Sequence, residues 1–68
     1  MDTQILINEL RHLTDDGELS LFEETLYKEE IKQGKMGDLK KMVGERLSLE
    51  KITRNYKFRP IAQMLGLN

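Results

Sequence analysis

An all-α domain of four or five short helices around one core is the fold this sequence predicts. Three observations carry it. Apolar residues recur three and four positions apart along most of the chain, the spacing of one helix face. Residues suited to starting and stopping helices punctuate those runs. Only one stretch, 51–58, alternates with the period of a strand, and no second stretch is there to pair with it. The 68 residues form one domain, 1–68, with an acidic helical hairpin over 3–34 and a basic helical half over 38–66.

The first helix covers about residues 3–14. Asp2 or Thr3 caps it by offering an oxygen to unpaired N–H groups. Leu6, Leu10 and Leu13 then make one stripe, widened by Ile7, while Gln4, Asn8, Arg11 and His12 fall on the far side. Thr14-Asp15-Asp16-Gly17 reads as a turn short enough to force an antiparallel hairpin. The second helix starts between Asp15 and Ser20, since Asp15 with Glu18 and Ser20 with Glu23 both have capping-box spacing. Leu19, Phe22 and Leu26 form its stripe, with Tyr27 and Ile31 drifting round. Glu24 and Lys28 are spaced as a favourable pair, and Gly34 is the stop, because a positive φ costs glycine nothing.

Asp38 is the expected cap of a third helix with Leu39, Met42, Val43 and Leu47 inside. Leu49, Ile52 and Tyr56 centre more than a quarter-turn away, so one straight helix would waste a stripe. A break near Ser48 resolves the conflict, with Ser48 capping a fourth helix and Leu47 and Ile52 stapling its start. Arg59 precedes the only proline, which ends that helix at or before it. Pro60 opens a short last helix with Ile61, Met64 and Leu65 on one face, and Gly66 is a left-handed cap that folds Leu67 back. The expected core is Leu6, Leu10, Leu13, Phe22, Leu26, Val43, Leu47, Ile52 and Leu65.

Charge divides the chain at the joint Gly34 to Asp38. Up to Gly34 three Lys and Arg face nine Asp and Glu, a net −6; beyond it eight face three, a net +5. Two Gly residues bracketing a turn would lay the halves alongside each other and compensate part of that charge.

The composition excludes more than it assigns. A domain this small buries roughly 60% of its unfolded surface and has no surplus for the cavity of about 300 Å³ or more that a small molecule needs, which argues against an enzyme and a small-molecule substrate. No cysteine and one histidine leave no thiolate zinc site, and no metal or cofactor is expected. His12 lies on a polar face. Adjacent carboxylates such as Asp15 and Asp16 point about 100° apart on a helix and cannot jointly flank a bond. No apolar run approaches the roughly 18 residues of a membrane span, and the N-terminus lacks a leader's basic-then-apolar pattern, so a cytoplasmic protein without membrane contact is expected.

Two surfaces remain as candidates. Lys51, Arg54, Lys57 and Arg59 interleave with Tyr56 and Phe58, supplying cations for phosphates or for an acidic partner and Tyr56 as a ring to stack on bases. Glu23, Glu24, Glu29 and Glu30 would face a basic partner. The preferred reading of the basic stretch is a solvated rim round core aromatics, or a surface facing the acidic half of a neighbour.

The nine residues Pro60-Ile61-Ala62-Gln63-Met64-Leu65-Gly66-Leu67-Asn68 resemble the first helix and turn of a helix-turn-helix unit. A small residue at Ala62, an apolar one at Leu65, Gly66 in the turn, Leu67 and a capping Asn68 carry the likeness. It implies DNA recognition by a helix beginning right after Asn68. Either the chain is a piece of something longer or the tail is an ordinary capped helix, which is the reading adopted. The expected function is accordingly a small non-enzymatic regulatory or adaptor protein that binds another protein or a second copy of itself, its opposed charges steering the encounter. The alternative is a transcription-regulator-like module holding nucleic acid through Lys51 to Arg59.

Overall fold

The computed structural model describes residues 2–67 and contains four helices and, among these residues, no strand: α1 (Thr3–Asp15), α2 (Leu21–Gln33), α3 (Gly37–Thr53) and α4 (Arg59–Met64). It is the all-α fold that the periodicity predicts. The capping role assigned to Asn68 lies outside the described residues.

Local chemistry sets most helix ends. Asp2 accepts a hydrogen bond from the N–H of Gln4 (2.9 Å) and starts α1. Ser20 and Glu23 form the full capping box of α2: the Ser20 N–H donates to Glu23 Oε1 (3.0 Å), and the Glu23 N–H donates to Ser20 Oγ (3.1 Å). Gly34, at φ +71, stops α2, and the N–H groups of Gly34 and Lys35 close back on the carbonyls of Ile31 and Glu30. The chain end repeats that device. Gly66 sits at φ +74 and the Leu67 N–H reaches the Ala62 carbonyl (2.9 Å), which brings Leu67 against the core.

Four expectations fail. The first concerns α3, which does not break near Ser48: it runs unbroken to Thr53, and Ser48 Oγ bonds back to the Gly44 carbonyl (3.1 Å) instead of capping a new helix. The chain leaves helix geometry only at Arg54, held at φ +59, and Arg59 starts α4 although it precedes Pro60. Second, Asp38 lies inside the first turn of α3; Met36 occupies the cap without a side-chain bond. The partner is Glu30 from α2, whose Oε1 accepts the Leu39 N–H (3.1 Å) and places negative charge at a helix N-terminus. Third, Glu24 pairs with Arg11 of α1 rather than with Lys28.

The fourth failure is in the core. Leu6, Leu10, Leu13, Val43, Leu47 and Leu65 are buried as expected, but Phe22, Leu26 and Ile52 are exposed, and Leu19, Ile31, Leu39, Phe58, Ile61 and Ala62 complete the interior. On α2 the stripes compete, and it is the side of Tyr27 and Ile31 that turns inward: Glu24 faces α1, Tyr27 faces α3, and Ile31 is buried in the core. On α3 the stripe of Leu39, Val43 and Leu47 meets Phe58 and α4, so the second stripe is left to solvent.

Candidate interaction surface

The basic stretch starts on the last turn of α3 and continues through the connector 54–58. A buried carboxylate shapes that connector. Glu50, 7% exposed, lies on the inner face of α3 beside Leu47. Its Oε2 accepts the Lys57 N–H (2.8 Å), and both its oxygens accept the Phe58 N–H (3.0 Å each). Two backbone donors that have no helix to enter are satisfied by one anion, and Phe58 is thereby drawn into the core at 1% exposure. Arg46 lies over the Phe58 ring at 5.3 Å.

With Phe58 held inside, the rest of the connector faces water. Lys51, Arg54, Tyr56, Lys57 and Arg59, the five residues assigned to this site, are all exposed. Arg59 stacks its guanidinium on Tyr56, 4.0 Å from the ring centroid, which occupies one face of the ring expected to receive a base. None of the four cations has an ion-pair partner among the described residues. The four ion pairs found there, Arg11 with Asp15 and with Glu24, His12 with Glu9, and Lys32 with Glu29, all lie in the acidic half. Compensation across the joint takes the form of the Glu30 cap on α3 rather than of ion pairs.

The acidic residues do not gather in the same way. Glu23 is engaged in the capping box. Glu24 faces α1, its buried Oε1 3.5 Å from Arg11 Nη1 without hydrogen-bond geometry, a Coulombic contact only. Glu30 is turned to α3, and Glu29 alone of the four is exposed, 3.9 Å from Lys32. Three of these carboxylates therefore serve the fold.

Apolar side chains make up what the acidic face lacks. Leu21, Phe22 and Leu26 stand on the outer side of α2, and Leu49 and Ile52 on that of α3; Phe22 is 77% and Ile52 80% exposed. A cleft of about 150 Å³ is lined by Glu18, just before α2, together with Arg46, Leu49, Glu50, Thr53, Asn55 and Phe58, so the start of α2 lies beside the end of α3. Further along, a shallow groove of about 300 Å³ runs between Tyr27 and the α3 residues Asp38, Lys41, Met42 and Glu45. There burial first, and then the carboxylates of Glu23, Glu30 and Asp38, hold the Tyr27 phenol above its ordinary pKa, with Arg46 opposing.

Sequence reasoning missed Glu50, and the only signal available was its place on the Leu39–Val43–Leu47 stripe, where a carboxylate has no reason to be unless donors meet it. No cluster of His, Cys, Asp and Glu suited to a metal occurs among the described residues, and no helix there is long and apolar enough to cross a membrane. Comparison of the chain with protein families, curated proteins and solved structures gave no match.

Proposed function

We propose that this protein is a non-enzymatic adaptor or regulatory module that works by binding another protein chain. The observation that supports the reading is the exposure of Leu21 and Phe22 at the start of α2 and of Leu49 and Ile52 towards the end of α3, elements that the cleft lined by Glu18, Leu49 and Thr53 brings beside each other. Single exposed apolar residues are ordinary on a monomer, but a patch from two elements rimmed by charge is the form of a protein-binding surface. Burying a side chain the size of Phe22 or Ile52 yields about 1.5–3 kcal/mol, and a 68-residue chain with a small core leaves both outside.

Photo-crosslinking residues placed at positions 22 and 52 test the reading in cells of the native source. The expected result is a discrete protein adduct at both positions, absent when the probe sits at Gln33 on the opposite end of α2. Equal, diffuse labelling at all three positions would reject a defined protein surface.

A second reading, nucleic-acid binding, is favoured by the four exposed cations without ion pairs that run from the last turn of α3 through the connector to the start of α4. It predicts retention of DNA or RNA at low salt that falls steeply as salt rises. Removing two of these cations should flatten the slope of log K against log salt by about two. No retention at low salt rejects it.

A further inference from the structure

We propose that the end of the molecule formed by the α1–α2 turn and the α3–α4 connector is a self-complementary surface whose occupant is a second copy of this chain, arranged about a two-fold axis; this rests on the protein-binding reading above. Two oppositely charged lobes stand side by side there. One is the turn, with Asp16 exposed and Glu18 half-buried, neither in an ion pair. The other is the last turn of α3 and its connector, with Lys51, Arg54 and Lys57 exposed and equally unpaired. Glu18 lines one cleft with Arg46, Leu49, Thr53 and Asn55, which places the turn beside the end of α3 and the start of the connector. Phe22, four residues after Glu18, and Ile52, next to Thr53, are exposed and apolar.

Such a surface is complementary to itself only under rotation. In a two-fold dimer each surface element meets its counterpart's complement reciprocally, so the acidic turn of one copy lies on the basic connector of the other, and the reverse contact forms at once. Both charge mismatches are then compensated while Phe22 and Ile52 leave water together. A standard interface takes about 800 Å² from each partner, less than a fifth of this 4520 Å² surface, so one end suffices. A foreign partner would satisfy the patch too, but the presence of both complementary lobes on every copy makes the chain its own partner.

The test is a mixing experiment followed by sedimentation velocity. The parent should form a dimer that weakens about tenfold or more between roughly 50 and 500 mM salt, as screening of exposed charge requires. D16K/E18K carries two basic lobes and K51E/R54E two acidic ones, so each alone should be monomeric with an unchanged helical circular dichroism spectrum. Mixed one to one they should recover the dimer, because both reciprocal contacts then join opposite signs. Phe22→Ser should abolish the dimer and, being a surface change, leave the fold intact. A parent that stays monomeric to millimolar concentration overturns the proposal, as does a dimer formed by either charge variant alone or a mixture that does not associate. A monomeric parent that still gives foreign protein adducts at positions 22 and 52 refutes only the self-association; the absence of both refutes the protein-binding reading as well.

Discussion

Replacing Glu50 by alanine should be among the most damaging single changes outside the apolar core. The side chain is 93% buried and its two oxygens satisfy the Phe58 N–H and the Lys57 N–H. Without it the Phe58 donor, inside the protein, has no acceptor, while Lys57 retains a longer bond to the Asn55 carbonyl (3.2 Å). An orphaned buried donor costs about 1–3 kcal/mol, and a lost bond to a charged acceptor adds to that, giving roughly 2–4 kcal/mol in total. A chain of this length has about 3–10 kcal/mol to lose. At about 4–8 °C per kcal/mol for so small a domain, the melting temperature should drop by roughly 10–30 °C. Thermal and urea unfolding followed by circular dichroism would measure it. Glu50→Gln, which keeps one acceptor oxygen, should fall between parent and alanine variant, and Glu45→Ala on the exposed side of the same helix should change stability by less than about 0.5 kcal/mol. An alanine variant melting within about 2 °C of the parent would refute the view that this carboxylate holds the connector.

Gly34→Ala should lower stability by about 1 kcal/mol, because the added Cβ meets no atom within 4 Å but must occupy φ +71; a raised melting temperature would show that α2 does not need this stop. Gly44→Ala, equally open but within α3, should raise stability by up to about 1 kcal/mol, checked by the same melts. In a Tyr56→Phe variant the remaining phenol, Tyr27, should titrate in the ultraviolet above the ordinary 10.0. The unfolded chain then loses this proton first, so the stability contributed by the neutral phenol is full below pH 10 and declines as pH rises past it. Tyr27→Phe should remove that part of the alkaline decline.

What the sequence by itself determined is whatever depends on neighbours a turn away. Asp2, the Ser20–Glu23 box, Gly34 and Gly66 act through bonds to backbone two to five residues distant, so residue type and spacing are sufficient to place them. The stripe of α1 was equally legible, since Leu6, Leu10 and Leu13 have no competing stripe on that helix.

Tertiary structure decided which of two stripes is buried. On α2 and α3 the apolar residues fall on two faces, and the periodicity of one helix carries no information about where its neighbours lie. Ile31, Leu39 and Val43 are buried with the side chains of α1 and α4, while Phe22 and Ile52 stay outside. Once exposed, they became the main part of the candidate surface. Glu50 shows the same dependence from the polar side: a carboxylate at an inward position is unfavourable until the Lys57 and Phe58 N–H groups arrive from seven and eight residues away. Only the folded chain brings those donors to it, and with them the basic connector to the acidic turn.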